Sequence, residues 1–218
     1  MPIQTIHDIN FAALYINHKK LAARPPSQSE RWDQQAQKTA VGDLDSAYTK
    51  ALIAAMRLEP NDTLLDVGCG VGNVAVLVAP SIKLVYALDY SQGMLDKLQT
   101  NMHHYNTHNI KTLCKDWADG WQDIPLCEIV VASRSTLVED MEAALLKMHA
   151  HATRHVYLTY PAKNSFGANP AIDTQKTPEL ATPSYIYILN ILHQHGIYAQ
   201  ARFIDPDWVL IDWAVQNK

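Results

Sequence analysis

The sequence predicts an α/β fold: a doubly wound, mostly parallel, seven-stranded sheet with an N-terminal helical cap and a C-terminal antiparallel hairpin. Three observations predict it. After Pro60, short apolar and partly β-branched runs alternate with segments of helical period, the pattern of a parallel sheet covered on both faces. The first of these runs, in "LLDVGCGVGN", passes through Asp66 into glycines at 68, 70 and 72 and then into a helical segment. Near the end, Asp-Pro-Asp at 205 to 207 separates "AQARFID" from "WVLIDWAVQ", so a turn joins two strands, one of which runs against the rest.

The first 60 residues hold no strand candidate. Ile6, Ile9, Ala13 and Ile16 recur at helical spacing from Thr5 to Leu21, and paired prolines at 25 and 26 forbid continuation. Ser27 and Glu30 have capping-box spacing for a second helix through "RWDQQAQKTA", broken at Gly42. A third helix sets Leu44, Tyr48, Ala51, Leu52 and Ala55 on one face and ends before Pro60. The chain therefore divides into a helical cap, 1–60, and a sheet-bearing core, 61–218, within one structural domain overall.

In the core, "TLLDVG", "LVYALD", "IKTLC", "EIVVAS" and "HVYLTY" read as strands, bounded by turn or charged residues. Between them lie four helical patterns: "NVAVLVA" from Asn73, a Met94 to Tyr105 stripe behind Ser91, a weak one in "WADGWQDIPL", and Met141, Leu145 and Met148 behind Asp140. A polar stretch from Lys163 to Thr182 leads to a helix "SYIYILNILHQHG", capped by Ser184 and stopped at Gly196.

A chain of 218 residues can bury one sizeable core. A net charge of −4 and a pI near 6.2 give no footprint for a phosphate backbone, which argues against nucleic acid as a partner and for a small molecule. No apolar run is long enough to span a membrane, and the start lacks a secretory pattern, so no membrane partner and a cytoplasmic location are expected. Cys69, Cys114 and Cys127 are odd in number and form no CxxC pair, which suits a reducing compartment. His103, His104 and His108, like His149, His151 and His155, lack the acid-centred spacing of a zinc helix, and no metal is expected.

In a doubly wound sheet, ligands bind beyond the carboxyl ends of the strands where the strand order reverses. Asp66, the 68–72 loop, Asp89, Asp116 and Ser133 all fall at such ends. The loop is not a dinucleotide fingerprint, because Asn73 stands where GxGxxG needs its third glycine, and no lysine follows as in a Walker loop.

"LLDVGCGVG" followed by "ALDYSQGML" resembles the first two motifs of class I S-adenosylmethionine-dependent methyltransferases, and the resemblance runs from about Thr63 to Val215. A narrower likeness, through "ASRS" and "KMHAHATRHVYLTY", is to small uncharacterised prokaryotic members and carries no substrate with it. The resemblance implies S-adenosyl-L-methionine as cofactor. It places Gly68, Cys69, Gly70 and Gly72 along the amino-acid end and Asp66 at or near the ammonium. Asp89 would take both ribose hydroxyls, Tyr90 and Met94 would flank the adenine, Asp116 with Trp117 would meet its amino group, and Ser133 would border the methyl. Local readings stand beside these: Asp66 bonding loop amides, Asp89 serving the turn before Ser91, Asp119 or Asp123 replacing Asp116, and Met94 and Cys69 packing.

Trp32, Arg134, Tyr160 and Tyr187 are candidates for the acceptor side or a lid. Arg134 either clamps an acidic acceptor or pairs with a local carboxylate, and Trp32 either covers the cofactor or anchors the preface. "ASRS" is not the Pro-Pro motif of amino-methylating nucleic-acid and glutamine enzymes, which argues against that chemistry. The expected function is in-line methyl transfer to a small molecule. A protein or RNA methyltransferase, and a non-catalytic cofactor-binding protein acting through a partner, are the alternatives. The sequence assigns no catalytic base and no oligomeric state.

Overall fold

The computed structural model describes residues 5–22, 29–162 and 182–215. Strands β1 (Thr63–Val67), β2 (Leu84–Asp89), β3 (Ile110–Cys114), β4 (Cys127–Ala132), β5 (Ala152–Pro161), β6 (Gln200–Asp205) and β7 (Trp208–Ala214) form one sheet in the order β3-β2-β1-β4-β5-β7-β6. β7 pairs antiparallel with both β5 and β6, while the pairings from β3 to β5 are parallel. The order reverses between β1 and β4, so the crevice there opens beyond the Gly68 loop and Ser133.

Alternation along the strands builds two cores. Leu65, Val67, Val130 and Leu158 face helices α1 (Phe11–Leu21), α6 (Met141–His151) and α7 (Ile186–Gln194). Leu64, Val85, Ile129 and Tyr157 face α3 (Ala47–Ala55), α4 (Ala75–Val78) and α5 (Gln92–His104), with α2 (Ser29–Lys38) adding Ala36. The preface helices thus share in covering both faces of the sheet, rather than resting only over its open end. Tyr15 and Leu52, one on each side, are both 0% exposed.

Several boundaries differ from the sequence reading for local reasons. The first helix begins at Phe11, not Thr5, because Thr5 and Asp8 close a separate 3₁₀ turn and Asn10 then caps α1 by accepting from the Ala13 amide at 2.8 Å. Ser27, the expected cap of α2, lies outside the described residues, as does most of the polar stretch from Lys163. The helix expected from Asn73 shrinks to Ala75–Val78, followed by a 3₁₀ turn containing Pro80. Turns alone join β3 to β4, so three helices rather than four lie between the five parallel strands. Ser91 and Asp140 cap α5 and α6 as expected, accepting from Met94 and Ala143 amides. Among the described residues no helix is long and apolar enough to cross a membrane.

Candidate functional site

The glycine loop is held from below. Gly68 and Cys69 amides donate to Leu88 O at 2.7 and 2.9 Å, the Gly70 amide donates to Asp89 Oδ2 at 2.8 Å, and the Gly72 amide donates to Cys69 O at 3.0 Å. A loop that cradles phosphate must keep such amides free; here they are already occupied. Gly68 (φ +68°) lets Ser135 approach so closely that a Cβ would sit 2.3 Å from the Ser135 Cβ. Gly70 (φ +55°) is different, since a Cβ there would meet nothing nearer than Met94 Sδ at 4.0 Å. The loop therefore has one glycine facing open space.

Two buried carboxylates bond to this loop and to the helix start that follows it. Asp66, 1% exposed, accepts from the Ala75 amide through Oδ2 at 3.1 Å, acting as the missing cap of α4, while its Oδ1 is buried with no partner among the described residues. Burial, with a further push from Asp89, raises its pKa to about 7. Asp89, 6% exposed, accepts from the Gly70 amide through Oδ2 and from the Ser91 amide through Oδ1 at 2.9 Å, so it stitches the loop to the start of α5. Burial raises its pKa as well. Neither carboxylate is paired with a basic side chain among the described residues. Such a pocket favours a cation and repels phosphate.

The shift has a measurable consequence. A carboxyl whose folded pKa stands above its unfolded value keeps a proton that the unfolded chain releases, so stability falls as pH rises from about 4 to about 7, by roughly 1.4 kcal/mol for each unit of displacement. Asp89 contributes in the same direction. Asp66→Asn is expected to flatten most of this decline in denaturant unfolding of the ligand-free protein. A decline as steep as that of the wild type would contradict the burial argument.

The remaining candidates divide into separate groups. Met94 is buried in α5 beside the loop and Cys69 is buried in the same core, where its thiol pKa is raised by burial. Tyr90 is half-buried between Asp89 and the α5 cap. Asp116 spends its carboxylate on its own turn, accepting from the Ala118 amide at 2.8 Å, while Asp119 accepts from the Asp116 amide. The Trp117 ring meets that of Trp121 in a tilted contact, with centroids 5.6 Å apart, and Lys147 of α6 donates to the Trp117 carbonyl. Trp32 is half-buried on α2, which docks on α5 through a contact the sequence did not signal: Asp33 Oδ1 accepts from Ser91 Oγ at 2.6 Å and from the Gly93 amide at 2.9 Å.

Beyond β4 the structure adds residues that sequence reasoning missed. Tyr48, read only as a helix-face residue, places its hydroxyl 2.8 Å from Ser133 Oγ and donates to Thr159 Oγ1 at 2.7 Å. The Arg134 amide donates to the same Thr159 oxygen at 2.9 Å, and its guanidinium lies 4.6 Å from the centre of the Tyr48 ring. On the opposite side α1 is fastened across the loop after β4, where Tyr15 OH donates to Val138 O and Lys19 Nζ to Leu137 O, both at 3.1 Å. Tyr160 is fully buried there, in contact with the Tyr15 hydroxyl, and the Tyr187 hydroxyl lies 3.2 Å from His18 Nδ1. Among the described residues no three His, Cys, Asp or Glu side chains gather as a metal site.

The chain matches the family profile of a methyltransferase domain over residues 64–155. It is similar to an uncharacterised protein of Haemophilus influenzae, 40% identical over 206 residues that cover 93% of this chain and 76% of that one. Among solved structures it resembles magnesium protoporphyrin IX methyltransferase from Synechocystis PCC 6803 with bound SAH, at 15% identity and TM-score 0.60 over 94% of this chain and 96% of that one. It also resembles a SAM-dependent methyltransferase from Aquifex aeolicus, at 15% identity and TM-score 0.64, covering 88% of this chain and all of that one. At that identity the two structures establish the fold. With the glycine loop, the paired acids and the domain match, the chain belongs to the family of S-adenosylmethionine-dependent methyltransferases.

Proposed function

We propose that this methyltransferase acts on a small molecule held beyond β4 and β5. The observation that carries the reading is the fastening of α1 across the loop after β4 by Tyr15 and Lys19, which roofs that side with packed helix where a polymer would need an open groove. The net charge of −4 supports it, since an RNA acceptor calls for a basic face. So does the chemistry of similar proteins, whose names specify magnesium protoporphyrin IX and, in a Methanocaldococcus jannaschii protein 34% identical over 61 residues, cobalt-precorrin-6B. That second match covers 28% of this chain and 33% of the other.

The cofactor fits the residues present. The unpartnered Asp66 Oδ1 and two carboxylates without a basic partner among the described residues suit a ligand bearing an ammonium and a sulfonium, and Gly70, whose amide Asp89 holds, faces open space. In this reading Asp89 keeps acceptor positions for the ribose hydroxyls after serving two amides, since a carboxylate offers about four. Asp66 and the 68–72 loop take the amino-acid end, and Met94 and Tyr90 line the adenine. Asp116 and Trp117 close the adenine end through their turn, and Ser133 borders the acceptor. S-adenosylmethionine supplies a methyl group already activated by its sulfonium, so the protein's task is to align a nucleophile and exclude water.

Residues 1–60 act as the cap in this proposal, with 61–218 as the catalytic core. α2 is the part of the cap next to the cofactor side, because Asp33 ties it to the amide end of α5 next to Asp89, and Gly93 permits the approach: a Cβ there would lie 2.9 Å from the Asp33 Cα. Removing residues 1 to 40 would strip Tyr15 from the core, so point changes are the better probe. Amide exchange of Arg31 to Gln37 is expected to slow when S-adenosylhomocysteine binds the wild type, and not in Asp33→Ala. Unchanged exchange in the wild type would return Trp32 to a packing role.

The substrate class is tested by incubating the protein and methyl-labelled S-adenosylmethionine with a cell extract. Label is expected in compounds that pass a small-pore filter; label found only in retained protein or RNA would replace the small-molecule reading.

A further inference from the structure

We propose that Arg134 binds a carboxylate on the methyl acceptor, an inference that rests on the small-molecule reading above. Arg134 follows Ser133 at the carboxyl end of β4, the strand that borders the reversal of the sheet. Its side chain is exposed and pairs with no carboxylate among the described residues. Among the described residues, the local-carboxylate role open to it from sequence is not realised.

What holds the residue is unusual for an arginine. Its φ is +57°, a left-handed backbone shared among the described non-glycine residues only with Asn106, a residue type that tolerates it. The Thr159 hydroxyl secures the strained amide at 2.9 Å, and the Tyr48 ring supports the guanidinium at 4.6 Å. Tyr48 is itself fixed by Ser133 and Thr159. A backbone cost borne at a ligand-facing strand end, with neighbours arranged to maintain it, points to a functional demand on this side chain.

The chemistry selects the ligand. A guanidinium stacked on an aromatic face keeps its edge free, and that edge matches a carboxylate through two parallel hydrogen bonds. Among the described residues, the charged groups that act on Tyr48 are Arg134 and Asp205. A single guanidinium fork matches a monoanionic carboxylate, whereas a phosphate collects several cations. Asp205 is engaged by the Asp207 amide at 2.7 Å and helps to exclude surplus negative charge.

The test uses the full chain, methyl-labelled S-adenosylmethionine, and small metabolites separated by anion exchange into retained and unretained fractions. The acceptor is expected in the retained fraction. Arg134→Gly removes the guanidinium while suiting the left-handed backbone, so it is expected to raise the KM for that fraction roughly 10- to 100-fold. Affinity for S-adenosylhomocysteine should stay within about twofold and the thermal midpoint should hold or rise. Arg134→Lys is expected to recover part of the loss, because the charge remains and the fork does not. Acceptor activity confined to the unretained fraction, or absent from both, overturns the assignment. A lowered midpoint with unchanged KM shows a structural role and also overturns it. Label entering only protein or RNA overturns the small-molecule reading instead.

Discussion

Asp89→Ala is expected to weaken S-adenosylhomocysteine binding by roughly 100-fold or more, and Asp116→Ala by less than about fivefold. In the proposed site Asp89 makes two charge-assisted hydrogen bonds to the ribose, each worth roughly 1.5 to 3 kcal/mol. It also accepts from the Gly70 and Ser91 amides, so its loss loosens the loop that shapes the pocket. Asp116, by contrast, commits its carboxylate to the Ala118 amide in its own turn. Asp89→Asn exchanges one acceptor for a donor, which leaves either the Gly70 or the Ser91 amide facing an NH₂ group, and an intermediate loss is expected. Titration calorimetry measures all three. Equal losses for Asp89→Ala and Asp116→Ala would remove the ribose assignment.

Two glycines of one loop are expected to fail in opposite ways. Gly68→Ala drives a methyl group to 2.3 Å from Ser135 Cβ, on a residue whose hydroxyl is bonded to Val67 O at 2.7 Å, and the backbone at φ +68° adds its own cost. Separating the β4 loop from β1 should cost roughly 2 to 5 kcal/mol of stability, the sum of overpacking and left-handed strain. At Gly70, φ +55° costs roughly 1 to 2 kcal/mol while the added methyl meets only open space. Gly70→Ala should therefore fold and yet bind S-adenosylhomocysteine more than about tenfold less tightly. Urea unfolding and calorimetry separate the two. Wild-type affinity in Gly70→Ala would mean that the cofactor does not lie against this residue.

Local features of the fold were legible where one segment determines its own conformation. The β2 and β3 bounds follow from apolar runs ended by turn residues, and the Ser91 and Asp140 caps from their placement before helical stripes. Reading failed where a competing local bond intervened, as when Asn10 restarted α1, or where a distant side chain took over, as when Asp66 bound the Ala75 amide and the helix expected from Asn73 began at Ala75. The site divides in the same way. Asp66, the glycines and Asp89 lie within one motif and its successor, whereas Tyr48 meets Ser133 across 85 positions and Asp33 meets Ser91 across 58. No spacing in the chain encodes such contacts; they follow from which sheet face each preface helix covers.

The central claim is that the crevice at the β1 and β4 ends is built for S-adenosylmethionine and not for a phosphate-bearing dinucleotide, because the Gly68, Cys69, Gly70 and Gly72 amides are occupied and its two acids have no basic partner among the described residues. Titration calorimetry of the purified chain with S-adenosylhomocysteine and with NAD⁺, at the same pH and salt, tests it most directly. One-to-one binding of S-adenosylhomocysteine with no detectable heat from NAD⁺ is the expected result; tighter binding of NAD⁺ would contradict the account.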